Sequence, residues 1–402
     1  NSRRNQKPPT KMPKYNLLIP MAGMGQRFLD AGYNVPKQFI YCKEKQLLDI
    51  SLECVDKSDC KLIFIVRDDQ ISNYGVDKLL REKYSGYDIE IVATDGLTKG
   101  SVCSCLLAQE HIDNDIPLFI HTLDIQFKPH IHPSQVVDGD YDGLIFTFKS
   151  NCDNYSYALS DENGLVKKTA EKKVISDEAC VGIYYFKAGH IFCRAAEIMI
   201  EEDMTTKGEF YISPLYNILI DVGFEIKTKA VEKMYIFGTP SEFVFYKKNV
   251  TKSFGEKPIA LCADHSGFET KQQFKKILDS KKIKYIDFGT SLPDDCDYRY
   301  FIKQAVNSKN EDVCDFIFGF CRTGQGANMC ANKFSDVRAA LIYDKYSAEM
   351  AIRHNCANFF SFPSSIFEGN EDLAAETLDI IFNNTFDGGR HQVRVQELED
   401  AS

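Results

Sequence analysis

The sequence has no apolar run approaching the length of a membrane span. It shows no secretion signal. Its fourteen cysteines lack the tight paired spacing of a zinc site. Positive charge is also short: 48 Lys and Arg against 58 Asp and Glu leave a net charge of −10. A nucleic-acid or membrane-surface partner calls for a basic face, so neither is expected. A cytoplasmic protein with reduced thiols is expected instead. Apolar content is 44%, ordinary for a globular protein. At 402 residues the chain is long for one core, and two domains are the natural expectation. Residues 1–14 are polar, basic and proline-bearing. They are expected to be disordered, with Asn1–Lys11 ahead of a native start at Met12.

The rest of the chain is organised around Asn16–Gln38. Leu17, Leu18 and Ile19 form the short apolar run of a buried strand. The run breaks into Pro20-Met21-Ala22-Gly23-Met24-Gly25. Gly23 and Gly25 let backbone pass close to a bulky anion, because neither carries a Cβ. Such a loop can aim several N–H groups at phosphate oxygens. Arg27 and Lys37 add a planar fork and a point charge where a triphosphate would lie. A dinucleotide-binding loop is the rival, but it wants a third glycine where Phe28 stands. It also wants an acid ending the second strand, and Leu62–Val66 runs into Arg67. An ordinary turn that binds nothing is the remaining reading.

Gly23-Met24-Gly25-Gln26-Arg27 followed by Pro36-Lys37 resembles the signature of sugar-phosphate nucleotidyltransferases, and the resemblance runs to about residue 250. It implies a Rossmann-like nucleotidyltransferase fold over 15–250. It also implies transfer of a nucleotidyl group from a nucleoside triphosphate to a sugar phosphate, with release of pyrophosphate. The pattern of the chain agrees with an α/β class. Strand-like runs at Leu17–Pro20, Leu62–Val66, Ile89–Ala93, Leu118–Thr122 and Gly143–Phe148 alternate with helical stretches. That alternation predicts a mostly parallel sheet with helices on both faces. Ligands in such sheets sit beyond the carboxyl ends of the strands.

Thr98-Lys99-Gly100-Ser101 opens a helix, as a cap or, by the resemblance, as a nucleobase contact at Gly100. Leu118–Thr122 ends in Leu123-Asp124-Ile125. A carboxylate there, facing a triphosphate, is where a Mg2+ ligand is needed, and the resemblance assigns Asp124 that role. The family's second metal carboxylate has no counterpart in Tyr235–Pro240, so one carboxylate suffices or Glu232 or another acid substitutes. Glu171-Lys172, Gly182 in Val181–Phe186, and Gly208-Glu209-Phe210-Tyr211 resemble the family's sugar-binding half. Glu171 can accept from sugar hydroxyls, Lys172 can hold the sugar phosphate, and Gly182 permits close backbone approach. Glu209 could equally be a helix-terminus charge.

Asn249–Lys257 is short and polar, and the boundary is expected there, with a second domain at 257–402. Strand-like Pro258–Ala263 leads into Asp264-His265-Ser266-Gly267, then a helix from about Phe268. The alternation repeats through Asp315–Phe320 and the loop Gly319–Asn328. A helix starting near Gln325 would point free N–H groups into a pocket and lower the thiol pKa of Cys321, making a usable base or nucleophile.

Asp264–Phe268, Cys321 with Thr323-Gly324, Ala331-Asn332-Lys333, His354-Asn355 and Gly388-Gly389-Arg390-His391 resemble the ribose-5-phosphate isomerase B family, related members of which act on hexose 6-phosphates. The resemblance implies a second αβα sandwich and a sugar-phosphate substrate. Cys321 would move a proton between C1 and C2, and His354 would help open the ring. Thr323 would aid ring opening or positioning, and Asp264 would contact sugar hydroxyls. His265, Arg390 and Arg394 would hold the phosphate. Backbone N–H groups around Gly324, Gly326 and Asn328 would stabilise the enediolate. It further implies a homodimer or larger assembly through this domain. Arg322, Arg299 and Cys356 depart from the family pattern; the two arginines alter substrate choice, are ordinary surface side chains, or block the pocket.

The combined expectation is a bifunctional enzyme acting on a nucleoside triphosphate and sugar phosphates. The alternative is a transferase whose second domain only dimerises or senses sugar phosphate. An isomerase leaves phosphate on a terminal carbon, whereas many such transferases take an anomeric phosphate. Either the transferase takes a terminal phosphate or another enzyme acts between the two steps.

Overall fold

A computed structural model describes residues 14–400. The expected disordered segment, residues 1–14, lies outside the described residues except for Lys14. That residue donates its N–H to the Asp59 carbonyl at 2.9 Å and pairs with the Asp59 carboxylate. The chain divides into two compact units, Asn1–Pro240 and Ser241–Ser402.

The first unit is built on a nine-stranded sheet. Strands Asp88–Thr94, Cys60–Arg67, Tyr15–Pro20 and Leu118–His121 lie side by side and parallel. Side chains of a strand alternate between faces, so a strand buried on both sides must be apolar throughout. Leu17 and Ile19 enter one core with Leu62, Phe64 and Phe119. Leu18 enters the other with Ile63, Ile65 and Ile120. The sheet then changes direction: Glu178–Phe186 pairs antiparallel with Leu118–His121 and with Gly143–Lys149. The α/β class and the parallel, helix-covered strands that carry the loops agree with the sequence pattern. The antiparallel half is an addition that the pattern did not disclose.

The second unit has a five-stranded, wholly parallel sheet in the order Tyr285–Asp287, Ile259–Ala263, Ile317–Cys321, Phe359–Pro363, Ala339–Leu341. One face is filled by Phe274, Phe318, Phe320, Phe360, Phe362 and Phe367. The other carries Cys262, Ile302, Ile317, Ala327 and Phe359. The division between units falls after Pro240, earlier than the boundary read at 250–257. Helix Pro240–Phe245 and the turn of π-helix Tyr246–Val250 contact the second unit: Phe245 meets Phe386 and Asn249 accepts from Arg338 at 2.7 Å. Polarity marked the seam, but the apolar face of this helix decides which core it joins.

Candidate functional site

In the first unit, the turn after Ile19 opens onto a cavity of about 330 Å³. Its walls hold five of the expected site residues: Gly23, Gly25, Lys37, Gly100 and Asp124. Gly25 takes φ 63° as the residue before helix Gln26–Asp30, a conformation that side chains disfavour. A Cβ at Gly23 would meet nothing within 4 Å. Lys37 is held between two partners. Its ammonium pairs with Asp124 Oδ1 and stands 5.9 Å from the Phe28 ring centre. Arg27 is exposed on its helix and is not among the lining residues.

Asp124 is placed by backbone on two sides. Phe237 N–H donates to the Asp124 carbonyl at 2.9 Å. Gly182, at φ 98°, accepts from both the N–H (3.0 Å) and the hydroxyl (3.1 Å) of Thr122. A Cβ on Gly182 would overlap the Thr122 hydroxyl. Gly182 therefore shapes the Asp124 loop from behind and does not line the cavity. His121, fully buried beneath this loop, faces the carbonyls of Ser51 (3.0 Å) and Thr122. Burial pushes its pKa down to about 4.

Two carboxylates stand where the expected Mg2+ would bind. The Asp124 carboxylate is 45% exposed in the cavity, and Glu209 is the other carboxylate on its walls. Glu232 lies outside them, its N–H donating to Lys128 in the strand ladder. Among the described residues no three His, Cys, Asp or Glu side chains gather as a metal site. A Cβ on Gly238, within the acid-free Tyr235–Pro240 segment, would lie 3.1 Å from Asp124 Oδ2. One or two carboxylates suffice for magnesium that arrives with phosphate oxygens, so the residues fit a nucleotide-borne ion.

Glu171 and Lys172 lie outside the cavity walls, and Lys172 connects to them through Tyr211 and Glu209. The Glu171 carboxylate accepts from Ser156, and burial raises its pKa. Lys172 donates to the Tyr211 hydroxyl, which donates to Glu209. Gly100, at φ 107°, lies against the Phe210 backbone; a Cβ there would be 2.5 Å from the Phe210 carbonyl oxygen. Gln38, Thr98, Ser101 and Ser104 also line the cavity. Thr98 and Ser101 read in sequence only as part of a helix start, and the only signal for Gln38 and Ser104 is closeness in sequence to Lys37 and Gly100.

In the second unit, Asp264 is buried at the end of Ile259–Ala263. Its Oδ1 accepts from Gly267 N–H at 2.9 Å and Ser266 at 3.0 Å. A Cβ on Gly267 would overlap the Phe320 carbonyl, so this turn lies tight against the strand that ends in Cys321. His265 Nδ1 accepts from Cys296 N–H at 3.1 Å. Cys321 is buried, while Arg322 and Thr323 are exposed beside it. Gly324 has φ 71°, and its carbonyl accepts from Ser361 at 2.6 Å and from Asn328 N–H at 3.0 Å. Gln325 N–H lies 3.4 Å from Thr323 Oγ1. Two of the N–H groups expected to face an enediolate are thus engaged inside the loop. The ring of Tyr298 covers Gly326.

His354 belongs to a separate cluster. Its ring stacks on His391 at 4.0 Å and 10°, and Asp387 Oδ2 lies 3.9 Å from Nε2. Desolvation lowers the His354 pKa. Burial, His354 and the neighbouring arginines bring His391 down to about 4. Arg390 and Arg394 are exposed one turn apart on helix Arg390–Asp400. Among the described residues no hydrogen bond or ion pair joins His354, Arg390 or Arg394 to the Cys321 loop. Of the three departures, Arg299 is engaged by Asp297 in a two-pronged pair at 2.9 and 2.6 Å. Cys356 is buried, which raises its pKa, and Arg338 lies 3.8 Å from its sulfur. Only Arg322 presents an exposed guanidinium next to Cys321.

Residues 259–398 match the family model described as Ribose/Galactose Isomerase. The chain is 32% identical over 142 residues to the ribose-5-phosphate isomerase B of Escherichia coli (strain K12), covering 35% of this chain and 94% of that protein. A ribose-5-P isomerase B of Listeria innocua is 35% identical over 143 residues, 35% of this chain and 95% of that one. The N-terminal part matches the crystal structure of a nucleoside-diphosphate-sugar pyrophosphorylase from Vibrio cholerae RC9. That match has 26% identity and a TM-score of 0.51, covering 58% of this chain and 99% of that chain. No helix of the described residues is long and apolar enough to cross a membrane.

Proposed function

The chain belongs to the Ribose/Galactose Isomerase family through residues 259–398 and carries a nucleotidyltransferase-like fold ahead of it; from this we propose a bifunctional enzyme of sugar-nucleotide synthesis. The observation that carries the transferase half is that the Lys37–Asp124 pair and the Gly23–Gly25 turn line one cavity. A sugar-phosphate oxygen attacks the α-phosphorus of a nucleoside triphosphate. The bond to the bridging oxygen breaks, and pyrophosphate leaves with that bond's electrons. Lys37 and the loop N–H groups hold phosphate oxygens, with Arg27 reaching in from the rim. Gly100 borders the nucleobase, and Glu171 and Lys172 take the sugar and its phosphate. Asp124 would hold Mg2+ together with triphosphate oxygens. When bound, the ion offsets charge on the α-phosphate and the departing pyrophosphate. Positioning and charge stabilisation carry the rate.

In the second unit, Cys321 takes the proton from C2 of an open-chain aldose phosphate and returns it to C1. Asp264 engages sugar hydroxyls, while Thr323 and His354 serve ring opening. His265, Arg390 and Arg394 hold the phosphate. Among the described residues no hydrogen bond or ion pair joins His354 or these arginines to the Cys321 loop, which supports a site completed by a second copy of the chain.

A pyrophosphate-release screen of four nucleoside triphosphates against a sugar-phosphate panel tests the first activity. Exchange of the C2 proton of pentose and hexose phosphates in deuterated water, wild type against Cys321→Ala, tests the second. Release without exchange would leave a transferase with a non-catalytic second unit.

A further inference from the structure

Tyr211, in the Gly208–Tyr211 stretch, has no individual role above. It precedes helix Ile212–Asp221. The ammonium of Lys172 stands 4.5 Å from its ring centre and donates to its hydroxyl oxygen at 2.5 Å. The hydroxyl's own hydrogen goes to Oε2 of Glu209 at 2.5 Å. A phenol has one hydrogen to give and lone pairs to accept with, so this chain of bonds is complete. Burial and the Glu209 carboxylate push the Tyr211 pKa up, which keeps that hydrogen in place. The Lys172 backbone takes φ 51°, rare for a residue with a side chain, and its N–H donates to the Tyr155 carbonyl at 3.1 Å. Lys172 is therefore fixed at both ends.

The segment carrying Tyr211 is tied to Lys99–Val102, the stretch that holds the cavity residues Gly100 and Ser101. Phe210 N–H donates to the Lys99 carbonyl at 2.8 Å, and its carbonyl accepts from Val102 N–H at 3.1 Å. Glu209, one residue before, lines the cavity together with Asp124 and Ser101.

We propose that Tyr211 is a positioning residue, which presents the Lys172 ammonium to the phosphate of the sugar substrate. The Phe210 backbone strap holds that cation at a set distance from the wall formed by Thr98–Ser104. The inference rests on the transferase reading. A free lysine gives up much side-chain freedom when it captures a phosphate. One already held by a ring and a hydroxyl has given up most of it beforehand. Tyr211 bonds Lys172 directly and reaches the cavity wall only through Glu209, so its loss is expected to reach the two substrates unequally.

The test uses the full chain with Tyr211→Phe, Lys172→Met and the double variant, and follows pyrophosphate release while each substrate is varied separately. Tyr211→Phe keeps the ring and removes the hydroxyl. Its KM for the sugar phosphate is expected to rise about tenfold, the scale of a lost hydrogen bond to a charged group, with the nucleotide KM within about twofold. The double variant is expected to be no worse than Lys172→Met. Glu209→Gln, which weakens the phenol's acceptor, is expected to move the same KM in the same direction and serves if Tyr211→Phe fails to fold. An active wild type with an unmoved sugar-phosphate KM in either probe overturns this inference alone. So do single-variant effects that multiply in the double variant. A wild type inactive with every pair of substrates overturns the transferase reading and this inference together.

Discussion

Lys37 shows how one side chain can serve two partners. Its charge is matched by Asp124, and its ammonium stands 5.9 Å from the Phe28 ring centre. In the proposed transferase, a triphosphate would offer several oxygens to the same ammonium. Removing it leaves Asp124 as an unmatched carboxylate facing an anionic substrate. Lys37→Ala is therefore expected to lower kcat/KM for pyrophosphate release by about 100-fold or more, the usual scale for losing a preorganised charge at a reacting phosphate. Secondary structure should remain unchanged in circular dichroism. His121 gives a second residue-scale expectation. Its pKa falls from 6.5 to about 4 because burial disfavours the charged ring. A group depressed in the fold stabilises it fully above the unfolded value and ceases to as pH falls through the folded one. The first unit should thus lose up to about 3 kcal/mol from this residue between pH 6.5 and 4. His121→Gln, compared with wild type by urea unfolding at both pH values, should show a shallower decline. Equal slopes would mean that His121 does not titrate as its burial requires.

Elements decide how far the sequence could be read. The strands that carry Gly23, Asp124, Asp264 and Cys321 were legible, because a strand buried on both faces is an unbroken apolar run with its loop at the carboxyl end. Direction was not legible. Nothing in the side-chain pattern of Glu178–Phe186 says that it runs antiparallel to Leu118–His121, since apolar runs read alike in either sense. Pairings made by backbone were also hidden. Gly182 looked like a place for a ligand to approach, yet the close approach is made by Thr122. Gly100 likewise meets the Phe210 backbone, which no residue-type pattern encodes. These contacts give an element-scale expectation. Gly182→Ala forces a Cβ into the Thr122 hydroxyl at φ 98°. It should cost about 2–4 kcal/mol through strain and overlap and displace the Asp124 loop. Urea unfolding measures the first effect, and loss of pyrophosphate release beyond the loss of folded protein measures the second.

At the scale of the whole molecule, the proposed isomerase site of the second unit is the place where a second copy of the chain would matter. Asp264, Cys321, Thr323 and Gly324 gather at the strand ends. His354, His391, Asp387 and Arg390 gather elsewhere, held together by ring stacking and by Arg353, which bonds Asp387 at 3.1 Å. If the proposed isomerase draws its base from one copy and its ring-opening and phosphate groups from another, two differently broken copies can repair each other. Cys321→Ala and His354→Ala should each be inactive in C2 proton exchange. In a mixed two-fold dimer, one pocket collects both lesions and the other collects neither. Random pairing of equal amounts makes half of the dimers mixed, each with one intact pocket, so about a quarter of wild-type exchange should return. The mixture must be unfolded and refolded together, or co-expressed, so that copies can exchange. Recovery near zero, with mixed dimers shown by mass spectrometry, would place both groups in the same copy's pocket. His354 would then have to reach the Cys321 loop by a rearrangement of the His354–Asp387 cluster.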